Sequence, residues 1–148
     1  MRIILATAIL FSLGACNQQP PEPAVTVVGA RVMLPAVPGR PGSAYFTLRT
    51  NNDPTKIVGI TSPRAERIEL HQTREQDGVS RMAPITDPNF PSGGEMKFEP
   101  GGRHAMLFGL DPAARPGDKI PLTFTFEPAP PVTVEAEVHA AGGGHAGH

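Results

Sequence analysis

Between Val25 and Val138 the apolar residues recur at every second position, in runs too short for helices. Ala44, Phe46 and Leu48 alternate with Tyr45 and Thr47, and Ile68 and Leu70 alternate with Arg67, Glu69 and His71. Ile120, Leu122, Phe124 and Phe126 are separated by Pro121, Thr123 and Thr125; Val132, Val134, Ala136 and Val138 are separated by Thr133, Glu135 and Glu137. Successive side chains of a strand leave opposite faces, so each run is a strand with one face in a core. Turn formers divide the runs: Pro38-Gly39, Asp53-Pro54, Asp77-Gly78, Pro91-Ser92-Gly93-Gly94, Pro100-Gly101-Gly102 and Pro116-Gly117-Asp118. The 18 Pro and 16 Gly are spread along the chain, which suits turn-rich β structure rather than a low-complexity segment. No stretch keeps a 3.6-residue period with caps. The expectation is an all-β domain of eight or nine short strands, an antiparallel sandwich or barrel, with at most a turn or two of helix.

The first sixteen residues, MRIILATAILFSLGAC, carry one early cation, Arg2, and an apolar run from Ile3 to Leu13. That run is shorter than the ~20 residues a membrane-spanning helix needs and fits the hydrophobic region of a signal peptide. It ends in Leu13-Gly14-Ala15-Cys16, which resembles a bacterial lipobox. The expected division is residues 1–15 as signal peptide, Cys16 as the acylated residue, and 16–24 as a polar, Pro-rich tether. An ordinary cleaved signal with a chance cysteine is the competing reading. Several acyl chains, at ~0.8 kcal/mol per buried CH₂, would hold the protein on a membrane. Asn17 after the cysteine favours the outer membrane under the usual lipoprotein sorting pattern.

Cys16 is the sole cysteine, so an internal disulfide and a Cys-based zinc site are both excluded. The formal charge is −1, and loss of Arg2 with the signal leaves 12 basic against 14 acidic residues. With no Lys/Arg run and no Trp, nucleic acid is not an expected partner. No Ser/His/Asp set, phosphate loop or three-His zinc pattern points to an enzyme.

Five His and five Met remain as the chemically informative residues. His104 and Met106 lie two apart on an expected strand, so both leave the same face. His71 and Met82 flank the Glu75-Gln76-Asp77-Gly78 turn; a hairpin centred on Gln76 and Asp77 sets them directly opposite, and a glycine bulge at Gly78 moves the register by one. Thioethers are soft, uncharged donors that select Cu(I), and imidazole adds basicity. Thiolates bind Cu(I) more strongly but oxidise outside the cytoplasm. Singly, each residue has a plainer reading: a lone Met on a strand is usually core filler, and a lone His is usually a hydrogen-bonded group. Met33 and Met96, without such company, are expected in the core.

The spacing separates these readings. His71, ten residues, Met82, twenty-one residues, His104, one residue and Met106 resemble the H-x10-M-x21-H-x-M signature of the PCuAC family of periplasmic copper chaperones. Such a four-position match arises by chance about once in ten thousand sequences of this composition. The flanking text is similar too: Glu69-Leu70-His71, Asp77-Gly78-Val79, the stretch Pro100-Gly101-Gly102-Arg103-His104-Ala105-Met106-Leu107-Phe108-Gly109-Leu110, and Gly117-Asp118 before Ile120–Glu127. Ala44–Leu48 resembles the family's early strand, and the likeness spans residues 25–138. Two departures stand out: Thr73 occupies a position that commonly holds an extra Met, and the frequent early Trp is absent.

The resemblance implies a cupredoxin-like Greek-key β-barrel and a periplasmic, non-enzymatic Cu(I) carrier with His71, Met82, His104 and Met106 as ligands. It implies delivery to the CuA centre of cytochrome c oxidase, in some members alongside a Sco-type thiol protein. A copper buffer or resistance protein using the same site is an alternative, and a metal-free immunoglobulin-like adhesion or assembly module is a second. Residues 139–148 are expected to form a flexible Gly- and His-bearing tail. There His139, His145 and His148 suit a second copper ion as Cu(II), against the plainer reading of a tail without function.

Overall fold

The computed structural model describes residues 24–51, 55–86, 89–90 and 93–142. The expected signal peptide, Cys16, nearly all of the tether, and His145 and His148 lie outside them. The described residues form ten strands and no helix: β1 (Val25–Met33), β2 (Gly42–Thr50), β3 (Thr55–Thr61), β4 (Arg67–Gln76), β5 (Val79–Pro84), β6 (Asn89–Phe90), β7 (Glu95–Phe98), β8 (Arg103–Phe108), β9 (Lys119–Glu127) and β10 (Val132–His139). Eight of them have six or more residues, as the alternating runs predict; β6 and β7 are short additions.

They join in the order β5-β4-β8-β2-β1-β10-β9-β3-β6, with β7 also on β2. Sequence-distant neighbours β4–β8, β2–β8, β1–β10 and β3–β9 supply the Greek-key crossovers. The pairings are antiparallel except β1 with β10, which run parallel, a refinement of the expected all-antiparallel sheet. A parallel pair needs a long crossover, and β1 and β10 stand at the two ends of the domain. Strand β2 is shared along its length: Gly42–Ala44 pair with β8 and Phe46–Arg49 with β7. The turn through Pro100-Gly101-Gly102, closed by Gly102 N–H donating to Glu99 O at 3.0 Å, links the two.

The sheet folds over on itself. Phe46 on β2 meets Phe124 on β9 edge-to-face at 4.8 Å, although β1 and β10 lie between those strands in the sheet. Phe46 also stacks on Phe98 at 4.4 Å. Around these rings pack Val32, Ala44, Leu48, Ile57, Leu107, Ile120, Leu122 and Val138, each at most 1% exposed. These are the residues that alternation directs inward. Full burial of each Val, Leu or Ile side chain among them contributes roughly 1.5–3 kcal/mol before the entropy of ordering is set against it.

Candidate metal centre

The site lies on the outer face of the β5-β4-β8 end of the sheet. On β8, Ala105 and Leu107 are fully buried, so parity turns His104 and Met106 the other way. On β4, Ile68 and Leu70 pack against the core, which turns Glu69, His71 and Thr73 outward. The β4–β8 ladder then sets His71 directly opposite His104 and Glu69 opposite Met106. The two imidazoles are 6.2 Å apart between centroids and inclined by 28°. Two metal–nitrogen bonds of about 2 Å each, added to the half-widths of the rings, span such a gap.

The hairpin register differs from the expected one. Gln76 pairs with Val79, which places Asp77 (φ 54°) and Gly78 (φ 73°) at the centre of a two-residue turn. Positive φ at both central residues marks the primed turn whose twist matches a hairpin, and Asp-Gly is among its preferred sequences. Met82 consequently faces Thr73, and His71 faces Pro84. The slip from the expected pairing is two residues, so side-chain parity is kept. Met82 stands diagonal to His71 on the same face, about 7–8 Å away between backbones and within reach of a long side chain. All four residues of the spacing motif thus share one face of three adjacent strands. Thr73, where the resembling family carries Met, lies between His71 and Met82 on that face.

Hydrogen bonds fix which ring nitrogens are available. His104 is buried, and its Nδ1–H donates to the Gly102 carbonyl at 3.1 Å, leaving the Nε2 lone pair free. His71 Nε2 lies 3.0 Å from Glu69 Oε2. That His71 hydrogen bond is the main influence holding the Glu69 carboxyl below its ordinary range, with Arg67 adding to it; Arg67 Nε is 2.7 Å from the other oxygen. An ionised carboxylate only accepts, so His71 Nε2 carries a proton, and in the neutral imidazole Nδ1 then holds the lone pair. That Nδ1 is buried and has no hydrogen-bond partner. An unpartnered imidazole nitrogen is costly unless a ligand completes it. The two orienting contacts, a carboxylate on one His and a carbonyl on the other, are the outer-shell partners that metal-binding imidazoles use.

Among the described residues no three His, Cys, Asp or Glu side chains are grouped to hold a metal. A metal at His71 and His104 therefore draws its further ligands from the thioethers. Met106 is half-buried, whereas Met82, on edge strand β5, is 54% exposed. The donor set fits a soft monovalent ion, sheltered on the β8 side and open at β5.

The expected tail does not start at His139. His139 is the last residue of β10, paired with Met33, and its backbone carbonyl accepts from Leu34 N–H at 2.9 Å. The alternation that ends at Val138 continues for one more position because β1 extends beside it. Met96 packs against the core as expected. Met33 does not: the burial of Val32 turns it outward beside His139. Parity about Val32 was the available signal, but its neighbour on the parallel strand was not visible in the sequence.

Comparison with known proteins gives a consistent picture. Residues 25–138 match the family model described as "Putative lipoprotein LpqE-like". A protein of Rickettsia prowazekii, RP573, is 38% identical over 85 residues; this covers 56% of the present chain and 47% of that protein, so the chain spans about half its length. A Leifsonia xyli protein described as "Putative lipoprotein Lxx21020" is 29% identical over 135 residues, covering 85% of this chain and 81% of that one. Among solved structures, the copper-bound PCuAC domain from PmoF2 superposes with a TM-score of 0.66 at 19% identity, over 79% of this chain and 93% of that one. The solution structure of CuI-DR1885 from Deinococcus radiodurans has a TM-score of 0.62 at 27% identity, over 84% and 82% of the two chains. The fold is thereby the cupredoxin-like fold of PCuAC domains.

Proposed function

The chain belongs to the LpqE-like lipoprotein family, and from that membership and the site described above we propose that it is a copper metallochaperone, a carrier and not an enzyme. It holds one Cu(I) between His71 Nδ1, His104 Nε2 and the thioethers of Met82 and Met106. The observation that carries this reading is the His71–His104 cross-strand pair, with one unpartnered buried nitrogen and two methionines on the same face. The copper-bound PCuAC domain and the Cu(I) form of DR1885 support it by likeness of fold.

Copper here is cargo, and the site is built to release it. Met106 and His104 hold the ion from the sheltered side. Met82 is an exposed, neutral ligand on an edge strand, so an acceptor's ligand displaces it first without breaking core contacts. The ion stays Cu(I) throughout, and no electron moves. The acceptor we propose is the CuA centre of cytochrome c oxidase, with a Sco-type protein as co-worker. Acylation of Cys16 would hold the carrier on a membrane facing the periplasm, the outer membrane by the residue that follows.

Anaerobic competition titration with a chromophoric Cu(I) chelator tests the ligand set. Substituting any of the four residues weakens binding at least tenfold; unchanged affinity across the set sinks the proposal. A deletion strain that assembles oxidase normally at low copper but becomes copper-sensitive would replace delivery by buffering. The expected Cu(II) site at His139, His145 and His148 is tested by aerobic Cu(II) uptake after removal of residues 140–148.

A further inference from the structure

A second imidazole–thioether pair lies on the same outer face. In the parallel β1–β10 ladder, Val32 pairs with Val138 and Met33 with His139. Val32 and Val138 are buried, so Met33 and His139 both turn outward as direct neighbours. Met33 is half-buried without joining the core, and the His139 side chain is 37% exposed.

The surroundings of His139 repeat those of His71. In Glu69-Leu70-His71 and again in Glu137-Val138-His139 a glutamate precedes the histidine by two residues on the same face. The carboxylate approaches Nε2 in both, at 3.0 Å in the first and 3.8 Å in the second. The first contact is a hydrogen bond; the second is longer than one, so either ring nitrogen of His139 can serve as the donor atom. Both histidines therefore have a carboxylate nearby and a thioether on the same sheet face.

The two pairs are also connected. Across the ladder Met106 pairs with Ser43, Ser43 with Met33, and Met33 with His139, one transverse row on one face. With strands about 4.8 Å apart, Met33 and Met106 are roughly 10 Å apart at the backbone. Only the small Ser43 stands between them. A cavity of about 390 Å³ opens beside Met33 and Ser43, the middle of this row, and is lined also by Arg31, Tyr45, Pro100 and Ala141.

We propose that Met33 Sδ and the His139 imidazole hold a second soft monovalent metal ion, Cu(I), more weakly than the four-residue site. Cu(I) accepts soft, neutral donors in small number, and one thioether with one imidazole gives a weak site that fills after the first. This is distinct from a Cu(II) site in the tail, because it uses a β1 thioether and the strand-bound His139. Its ligands are separate from the four-residue set, and only its place as the second equivalent rests on that reading.

The test is an anaerobic Cu(I) titration of the purified protein, followed by NMR of ¹³C-labelled methionine methyls and histidine ring protons. The first equivalent shifts Met82 and Met106; the second shifts Met33 and His139, while Met96 stays still throughout. Met33→Leu and His139→Gln weaken the second equivalent at least tenfold and leave the first within twofold. In the His71→Ala/His104→Ala protein the Met33 and His139 signals still move, which keeps this site's failure distinguishable from the other's. A Met33 methyl unmoved through two equivalents overturns the proposal. So does a second equivalent retained in Met33→Leu, or one lost on removing His145 and His148 while Met33→Leu keeps it.

Discussion

His104→Ala separates the structural from the metal-binding role of the site. In the apo protein the substitution removes one hydrogen bond, Nδ1–H to Gly102 O. The carbonyl is not orphaned, because Thr73 N–H already donates to it at 3.0 Å. The loss is then a net hydrogen bond of ~0.5–1.5 kcal/mol, with a small addition for the vacated ring, about 1–2 kcal/mol in all. For a domain of this size that is a fall in Tm of roughly 4–8 °C. With copper the change is larger. At free Cu(I) one hundred times Kd, binding adds ~2.7 kcal/mol to the parent's stability, a rise of roughly 10 °C. If the variant binds tenfold more weakly, the same free copper adds ~1.4 kcal/mol, about half that rise. Paired thermal melts, apo and at buffered Cu(I), read both quantities. A variant that loses little apo stability and keeps the parent's full copper-induced rise would refute the assignment of His104. A collapse of the apo protein would refute the hydrogen-bond accounting.

Three further outcomes follow from other parts of the molecule. Phe46→Ala removes a ring stacked on Phe98 and edge-on to Phe124, at a cost of about 3–5 kcal/mol and a Tm drop of roughly 12–20 °C; urea or thermal melts showing under 5 °C would contradict the packing. Gly78→Val places a β-branched residue at φ 73°, which costs about 1–2 kcal/mol and loosens the hairpin that positions Met82. Its copper affinity should fall while Cu(I)-free secondary structure by circular dichroism is kept; unchanged affinity would mean that the hairpin does not set the site. Glu69 and Glu95 are held below the ordinary 4.5, Glu69 chiefly by the His71 hydrogen bond and Glu95 chiefly by Arg49 with Lys97. Because their folded-state pKa values are lowered, the stability they add is present above pH 4.5 and is lost as pH falls through the lower folded values. Urea midpoints measured from pH 6 to pH 3 should decline less steeply in Glu69→Gln and Glu95→Gln than in the parent, and identical slopes would remove this linkage.

Residue alternation is enough to tell which side of each strand faces the core, and with it that His104 and Met106 share a face. Side-chain direction in a strand is a property of the local pleat, so alternation about Ala105 and Leu107 is enough. The sequence also shows that Asp77-Gly78 turns the chain, although the register that this turn imposes was two residues from the one expected. The preference of Asp-Gly for both central positions of a primed turn decides that register, and the shift of two keeps Met82 on the face of His71. Adjacency between strands far apart in the chain is legible only in the folded molecule. The β4–β8 pairing that sets His71 against His104 joins segments on either side of β5, β6 and β7. The parallel β1–β10 pairing that sets Met33 beside His139 joins the two ends of the domain. Such neighbours are selected by the shared burial of side chains from the whole folded sheet, and that energy depends on every strand at once. It leaves no periodic trace in either segment alone.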